Sequence, residues 1–307
     1  MSRVAYVNGQ YVPHSHASVH VEDRGYQFSD GVYEVCEIWK GQIVDMTPHL
    51  DRLERSLREL QIAAPMSRRA LVRVMKEVIS LNRVKNGIIY MQITRGVAPR
   101  EHYFPSAAIP PSVVMTAKSV SPHKMHQIAA KGVGVVTVEE NRWDRVDIKT
   151  VGLLPNVLAK QKAKEAGAHE AWFVDKNGLI TEGGSTNAWI ILKDGTLVTR
   201  PATHGILRGI TREGVLKLAE KKGFSVEERG FSMEEAKNAR EAFLTSASGL
   251  VMPVVKINET ILGDGQPGPI VQDLRKSFHD ASELIKLAVA GGNAPVFAEG
   301  TYEGGAP

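Results

Sequence analysis

The sequence predicts an α/β protein in two unequal parts, and three observations lead to this prediction. Short segments rich in β-branched and aromatic residues alternate with segments in which leucine recurs every three or four positions. With 307 residues, of which 43% are hydrophobic, the chain can bury a substantial core. The stretch Ser-Val-Ser-Pro-His, which starts at residue 119, is typical of a linker. We therefore predict a smaller N-terminal α/β domain over 1–118, a linker over 119–127 and a larger C-terminal α/β domain over 128–286.

The first part is predicted to open with β-structure and to continue with two helices. Residues 4–12 alternate around the turn Asn8-Gly9, and residues 32–39 are rich in β-branched and aromatic side chains. Thr47 before Pro48 predicts the N-cap of a helix. Leucines spaced by three and four positions give that helix one apolar stripe: Leu50, Leu53, Leu57 and Leu60. A second helix over 67–81 and strands over 87–94 and 112–117 complete this part.

In the second part, predicted strands and helices keep alternating. The strands are expected over 132–138, 171–174, 187–192 and 241–245. The helices are expected over 154–166 and 211–222, and a glycine follows each of them. Residues 287–307 are rich in Ala, Gly and Pro with little apolar content, which predicts a flexible tail.

Composition excludes several classes of protein. The net charge is only +4, from 38 Lys and Arg against 34 Asp and Glu, and the basic residues are interleaved with acids, so no nucleic-acid partner is expected. No run approaches the roughly 18 apolar residues that a membrane span requires. Cys36 is the single cysteine, and the N-terminus lacks the apolar core of a signal peptide. We expect a cytoplasmic protein in a reducing compartment.

Lys149 is the first candidate for chemistry. It follows a predicted strand end and precedes a helix, whereas other lysines nearby fall inside that helix. Where apolar walls disfavour the charge of a lysine, its neutral amine can form a Schiff base with a carbonyl or a pyridoxal ring. A solvated surface lysine is the ordinary alternative.

A second candidate is the polar, Gly-rich turn over residues 181–187, which contains Glu182. Its backbone can approach a ligand closely while the carboxylate holds a ring nitrogen protonated. A plain connecting loop is the alternative.

Two further segments place glycine and hydroxyl residues at helix or strand ends, at 207–211 and 245–249. Free N–H groups and the helix dipole at a helix N-terminus favour a phosphate. Ordinary N-capping explains each segment about as well.

The loop over 95–105 carries Arg100 and His102 two positions apart. In an extended segment these side chains project to the same side, where a guanidinium and an imidazole can hold a carboxylate together. A solvated basic loop is the alternative. His14, His16 and His20 also allow a metal site, but no carboxylate or cysteine accompanies them at ligand spacing, so no metal is predicted.

Taken together, these segments resemble the class IV aminotransferases, the fold-type IV enzymes that use pyridoxal 5'-phosphate. The resemblance covers roughly residues 3–280 by the order of its motifs. The motifs are EDRGYQFSDGVYEV over 22–35, HLDRL over 49–53, DIKT over 147–150, EGGSTN over 182–187 and GITR over 209–212. The resemblance implies a two-domain fold with the site in the cleft between the domains.

The resemblance also implies the residues that hold the cofactor. Lys149 is the Schiff-base lysine, Glu182 pairs with the pyridine nitrogen, and Leu207 packs against the ring. A helical wheel places Arg52 and Arg58 equally far from the leucine stripe, so only the resemblance selects Arg52. Ala247 stands where the D-amino-acid enzymes have a hydroxyl residue, so any phosphate contact there must come from the backbone. The remaining cofactor-binding residues, including those of the phosphate site, are Arg52, Ser185, Ile210, Thr211, Ser246 and Ala247.

Within the family, the loop with Arg100 and His102 resembles the carboxylate trap of D-amino-acid transaminases. The resemblance implies that these two residues and Tyr33 bind the substrate carboxylate, and that the loop reaches the neighbouring site of a homodimer. The expected activity is ping-pong transfer of the amino group between a D-amino acid, such as D-alanine, and 2-oxoglutarate or pyruvate.

Three alternatives stay open from the sequence. A branched-chain L-amino-acid aminotransferase or an aminodeoxychorismate lyase would use the same fold and the same lysine with a different substrate wall. A His-based metal hydrolase built on His14, His16 and His102 would be colourless and sensitive to chelators. A binding module without catalysis would hold no cofactor or a silent one.

Overall fold

The computed structural model describes residues 3–286, which form two β-sheets with helices packed against them. The strands are β1 (Val4–Val7), β2 (Gln10–Pro13), β3 (Gly31–Trp39), β4 (Gln42–Val44), β5 (Gly87–Thr94), β6 (Ser112–Ser119), β7 (Val133–Glu139), β8 (Glu170–Val174), β9 (Leu179–Gly183), β10 (Asn187–Ile191), β11 (Leu197–Thr199), β12 (Val226–Glu228), β13 (Phe231–Ser232), β14 (Glu241–Ser246), β15 (Leu250–Ile257), β16 (Thr260–Ile261) and β17 (Leu284–Lys286). The helices are α1 (Arg24–Phe28), α2 (Met46–Glu59), α3 (Arg68–Leu81), α4 (Pro122–Lys131), α5 (Leu154–Glu165), α6 (Ile210–Lys221), α7 (Met233–Lys237) and α8 (Pro269–Ala281).

The first sheet is antiparallel, with the strand order β17-β4-β3-β5-β6-β1-β2. Helices α2 and α3 contribute their apolar faces to its core. In α2, Leu50, Leu53 and Leu57 are buried, which is the face that their spacing indicates. Helix α3 begins after Ser67, whose side chain accepts a hydrogen bond from the backbone N–H of Ala70.

The start of α2 differs from the sequence prediction. Asp45, not Thr47, is the N-cap residue, and it has a left-handed conformation with φ of 49°. The hydroxyl and backbone N–H of Thr47 both donate to the carboxylate of Glu283, at 2.7 and 2.8 Å. Thr47 therefore binds Glu283, between α8 and β17, instead of capping its own helix. Local sequence does not reveal this partner.

The second sheet is mixed and has the order β12-β11-β10-β14-β15-β7-β8-β9-β13, with β16 paired to β15. Strand β7 runs parallel to both β15 and β8, as in an α/β arrangement. The core of this sheet includes Trp189, stacked on Phe243 at 5.2 Å between ring centroids. Helices α6 and α8 pack on the face of the sheet that carries these two rings.

The structure adds detail around the predicted linker and the predicted end of the second part. Helix α4 starts inside the segment 119–127, because Ser121 accepts from the N–H of Lys124 and Pro122 occupies the first turn. Strand β17 crosses back to join β4 of the first sheet. The division into domains stays a prediction, and the predicted tail over 287–307 lies outside the described residues. Among residues 3–286, no helix is long and apolar enough to span a membrane.

The two sheets are joined where the chain passes from Ile148 to Val151. The N–H of Tyr33 donates to the carbonyl of Lys149 at 3.0 Å, and the N–H of Val151 donates to Gly31 at 3.1 Å. This short ladder against the start of β3 brings a segment of the second part next to the first sheet.

Candidate active site

A cleft of about 740 Å³ lies between the two sheets and collects the predicted site residues. Of the predicted set, only Arg100 does not line it. The predicted residues that line the cleft are Tyr33, Arg52, His102, Lys149, Glu182, Ser185, Leu207, Ile210, Thr211, Ser246 and Ala247.

Lys149 lies at the junction of the two sheets. Its Nζ is 4.0 Å from the centroid of the Tyr33 ring, a cation–π distance. Its backbone N–H faces the hydroxyl of Ser56, a buried residue of α2, at 3.4 Å. The amine therefore projects into the cleft from a backbone that both parts of the chain hold.

Arg52 lies at one end of the cleft and is fixed by a buried carboxylate. Its Nε and Nη2 donate to the two oxygens of Glu34 at 2.7 and 2.8 Å, a bidentate pair. Its Nη1 donates to the carbonyl of Arg208, just before α6 begins. His49 Nδ1 lies 2.7 Å from the second oxygen of Glu34, so this carboxylate holds two side chains of α2.

The burial of this cluster shifts its pKa values. Burial by itself raises the pKa of Glu34, but the charge and hydrogen bonds of Arg52, with those of His49, bring it well below its usual range. Burial lowers the pKa of His49, and the nearby Arg52 adds to this effect against the opposing influence of Glu34. The structure thus indicates an ionised Glu34 beside a neutral His49 that donates through Nδ1–H.

The N-terminus of α6 lies at the same end of the cleft as Arg52. Ile210 and Thr211 open this helix, whose first N–H groups have no intrahelical acceptor. The turn after β14 also lines the cleft: the Ser246 hydroxyl accepts from the N–H of Gly249 at 3.0 Å, and Ala247 follows it. A guanidinium, a helix N-terminus and a tight turn form a site that suits a phosphate.

Glu182 is buried at another part of the cleft and is surrounded by donors. Arg142 Nη1 donates to Oε1 at 2.5 Å, while Asn187 Nδ2 and the N–H of Leu207 donate to Oε2 at 3.0 and 3.1 Å. Burial raises the pKa of Glu182, and Arg142 opposes that rise. Arg142 also binds Glu140, so the guanidinium is fixed by carboxylates on both sides.

A buried carboxylate anchors the Gly-rich turn that follows Glu182. The hydroxyl of Ser185 donates to Glu170, a buried carboxylate, at 2.9 Å. This bond uses the hydrogen of the Ser185 hydroxyl. Thr186 Oγ1 is buried, belongs to a residue that lines the cleft, and has no hydrogen-bond partner within residues 3–286.

Gly209 is the position in the site where a side chain is least tolerated. A Cβ added there would lie 2.0 Å from Oδ1 of Asn187, which is buried. Asn187 also donates to Glu182 and to the carbonyl of Leu207, so a side chain at position 209 would displace the amide from both acceptors.

We expect Gly209→Ala to push Asn187 away from Glu182 and to weaken binding of a cofactor in this cleft by roughly tenfold. Titration of the apoprotein with pyridoxal phosphate, followed by absorbance, measures this affinity. Gly134→Ala is the matched control, because a Cβ there meets no atom closer than 3.8 Å. Equal affinities in the two variants would show that Asn187 does not depend on the glycine.

Arg100 and His102 lie together on one aromatic side chain. The Arg100 guanidinium carbon is 5.1 Å from the centroid of Phe28, and the His102 ring centroid is 5.5 Å from it. Both loop residues are exposed. The structure thus brings the two residues together, with only His102 lining the cleft of its own chain.

Four residues of this site were not predicted from the sequence: Glu34, His49, Arg142 and Asn187. Glu34, His49 and Asn187 lie inside the motifs that carry the family resemblance, but no local pattern distinguishes their roles. Arg142 precedes Lys149 by seven positions and looks like any surface arginine in the sequence. Its partner Glu182 is 40 positions away, so only the fold brings the two together.

The histidines considered for a metal site are dispersed. His14 and His16 form one 3-10 turn and are exposed. Within residues 3–286, no group of three or more His, Cys, Asp or Glu is arranged to hold a metal ion.

The arrangement fits pyridoxal phosphate in three respects. The cleft offers a lysine amine for the carbonyl, a buried carboxylate for the ring nitrogen, and a guanidinium beside a helix N-terminus for the phosphate. The buried Thr186 hydroxyl without a protein partner gives one more group that a polar ligand can satisfy.

Comparison with known proteins agrees with this fit. The family profile described as "Amino-transferase class IV" matches residues 31–257. A D-alanine aminotransferase of Bacillus licheniformis is 39% identical over 281 residues, which are 91% of this chain and 98% of that protein. A D-alanine aminotransferase of Staphylococcus haemolyticus is also 39% identical, over 89% of this chain and 96% of that protein.

Among solved structures, the branched-chain amino acid aminotransferase from Escherichia coli superimposes with a TM-score of 0.84 at 24% identity. The match covers 94% of this chain and 99% of that one, and it shows that the fold is shared. The matching profile, the relatives at 39% identity and the shared fold lead to one conclusion: this chain belongs to the class IV aminotransferases, pyridoxal-phosphate enzymes of fold type IV.

Proposed function

We propose that this protein transfers an amino group between a D-amino acid, such as D-alanine, and a 2-oxo acid, either 2-oxoglutarate or pyruvate. The observation that carries the proposal is the pairing of Arg100 with His102 on Phe28, because a guanidinium and an imidazole side by side suit a carboxylate. The relatives at 39% identity, D-alanine aminotransferases, support the same substrate class.

When bound, pyridoxal phosphate holds the amino group between the two half-reactions and withdraws electrons from the substrate Cα. Lys149 acts through Nζ, first as the nucleophile that binds the cofactor and then as the base that takes the proton from Cα. Tyr33 places its ring against this amine, 4.0 Å away, and so limits the directions that Nζ can take.

Glu182 is assigned to the pyridine nitrogen. Arg142 and Asn187 hold its two oxygens and keep the carboxylate oriented in a buried place. Leu207 packs against the ring, and its N–H donates to Glu182. Arg52, Ser185, Ile210, Thr211, Ser246 and Ala247 are assigned to the phosphate end and the adjoining turn.

Tyr33, Arg100 and His102 are assigned to the substrate carboxylate. With Nζ of Lys149 working from one side, the position of the carboxylate decides which Cα hydrogen faces the base. A D-amino acid then presents its Cα hydrogen to Lys149. The L-enantiomer, with its carboxylate in the same place, presents its side chain instead.

We also propose a homodimer in which the loop of Arg100 and His102 reaches the neighbouring site. Leu154, Val157 and Leu158 share one face of α5 and are 68%, 58% and 58% exposed, an apolar surface that favours contact with protein. Tyr103 of the loop is 83% exposed, so its side chain is free to contact a neighbouring chain. We also propose two domains, over 1–118 and 128–286, and a cytoplasmic location. The free, buried Cys36 is consistent with a reducing compartment.

The similarity to a branched-chain aminotransferase structure makes L-branched-chain amino acids the competing substrate class. We expect D-alanine to bleach the visible absorbance of the purified holoenzyme and L-leucine to leave it unchanged. The expected initial-rate pattern with D-alanine and 2-oxoglutarate is ping-pong. Bleaching by L-leucine alone would keep the family and reject the D-amino-acid proposal.

A further inference from the structure

We propose that Arg24, Phe28 and Asp30 are positioning residues for the carboxylate-binding pair Arg100 and His102. The short helix α1 and the residues after it would then determine how tightly the substrate carboxylate is held. This inference rests on the proposed function, because it concerns the same carboxylate site.

Phe28 is the platform of this arrangement. Its ring has Arg100 on it at 5.1 Å and His102 beside it at 5.5 Å, with the His102 ring tilted by 57°. The guanidinium of Arg24 lies 4.8 Å from the same ring. Contacts of a guanidinium with an aromatic face favour a defined orientation of the long Arg100 side chain, which is otherwise exposed.

Arg24 holds the backbone of the loop between the two carboxylate-binding residues. It is only 3% exposed, and its Nη1 donates to the carbonyl of Glu101 at 2.6 Å. Its Nε donates to Asp30 Oδ2 at 2.9 Å. The guanidinium therefore ties the peptide that separates Arg100 from His102 to the strand entrance at Asp30.

Asp30 also binds the beginning of the loop through a second buried arginine. Arg95 donates to both oxygens of Asp30, at 2.7 and 3.0 Å, and to the carbonyls of Leu60 and Gln61. The same guanidinium lies 3.7 Å from the ring centroid of Phe104, close to the end of the loop. One carboxylate thus anchors the loop at its start and, through Arg24, at its middle.

Helix α1 is itself rigidly placed on the first sheet. Asp23 caps it by accepting from the N–H of Gly25 at 2.9 Å, and it also accepts from the hydroxyl of Thr94 at 3.0 Å. Gly25 packs so closely that an added Cβ would lie 2.2 Å from Thr94 Cγ2. The motif over 22–35 therefore connects the loop to β3 and β5. Its first half, which includes α1, thus has a structural role that is separate from binding the cofactor.

The expected consequence is preorganisation. A loop of this length loses conformational freedom when its side chains bind a ligand, and contacts that order it beforehand reduce that loss. Loosening the platform should weaken substrate binding while the cofactor and Lys149 remain in place, so the Michaelis constant should rise more than the turnover number falls.

The test uses the holoenzymes of Phe28→Leu and Arg24→Lys, each made alone and in an Arg100→Ala background. Leucine removes the aromatic face, and lysine keeps the charge but cannot bridge Asp30 and Glu101. Tyr26→Leu is the matched control, because Tyr26 belongs to α1 and is 77% exposed. We measure the Michaelis constant for D-alanine, the turnover number, and the affinity of the apoproteins for pyridoxal phosphate.

We expect each positioning variant to raise the Michaelis constant roughly tenfold, with turnover and cofactor affinity changed less than about twofold. In the Arg100→Ala background, which itself raises the Michaelis constant, neither substitution should add a comparable increase. Unchanged Michaelis constants in both variants, or equal factors with and without Arg100, would overturn the inference alone. An Arg100→Ala enzyme with an unchanged Michaelis constant would instead reject the carboxylate assignment in the proposed function, and the inference with it.

Discussion

Replacing Lys149 with alanine is expected to reduce the turnover of D-alanine by roughly four orders of magnitude or more. The amine that lies 4.0 Å from the Tyr33 ring is the one group assigned both to bind the cofactor and to take the proton from Cα. Among the described residues that line the cleft, Lys149 is the one lysine, and the two carboxylates there, Asp30 and Glu182, are held in ion pairs with arginines. Steady-state rates with saturating cofactor measure the loss.

Lys217→Ala is the matched control for this substitution. Lys217 lies on the exposed side of α6, and its removal should leave the rate within about twofold of the parent enzyme. Normal turnover in Lys149→Ala would remove this residue from the reaction. Folding of the variant is checked by its circular dichroism, since Lys149 supports the ladder with β3 only through its backbone.

Replacing Glu34 with glutamine is expected to lower the free energy of unfolding by roughly 3–5 kcal/mol at pH 7. The substitution leaves the guanidinium of Arg52 buried without its counter-charge and removes one of its two strong acceptors. A displaced Arg52 should also weaken the affinity for pyridoxal phosphate more than the affinity for pyridoxal, which lacks the phosphate. Denaturant unfolding and ligand titration measure the two effects separately.

The effect of Glu34→Gln should depend on pH in a defined direction. The folded-state pKa of Glu34 lies below the ordinary value of about 4.5, so its stabilisation is present above that pH and is lost as the pH falls below it. The difference in unfolding free energy between parent and variant should therefore be largest near neutral pH and should shrink below about pH 4.5.

Burial also lowers the pKa of His49, so the parent should lose stability as the pH falls below about 6.5.

Glu259→Gln is the control for this second prediction. Its side chain is 96% exposed and pairs with Lys256 on the surface, so the change should stay within about 0.5 kcal/mol. A Glu34→Gln protein as stable as this control at pH 7 would show that Arg52 does not depend on the buried carboxylate.

Much of the fold follows from patterns that local physics explains. The leucine spacing of α2 indicates its buried face, and Ser67 predicts the start of α3, because apolar periodicity and capping act within one helical turn. The start of α2 was not predictable in this way, since Thr47 binds Glu283, 236 positions away. Strand β17 was missed for the same reason: its partner β4 lies far back in the chain.

The candidate site shows the same division. Short motifs and a family resemblance predicted Lys149, Glu182, Arg52 and the segments proposed to bind the phosphate, and the structure brings them to one cleft. Arg142 was missed, because it lies in the irregular segment after β7 and its role depends on a 2.5 Å contact with a carboxylate of β9. The spacing of Arg100 and His102 suggested a common direction, but their shared support on Phe28 is a contact between distant segments.

The α/β class and the family follow from the amino-acid sequence alone, together with four of the eight helices and about half of the strands that the structure has over residues 3–286. The motifs also selected the lysine, the carboxylate and the arginine proposed to hold the cofactor. These properties depend on residue type, periodicity and short motifs, which act locally along the chain. Tertiary packing alone determines which charges pair, as in Glu34–Arg52 and Glu182–Arg142, and how Arg24 and Asp30 hold the loop of Arg100 and His102. The strength of an ion pair depends on distance and burial, and the packing of segments far apart in sequence sets both.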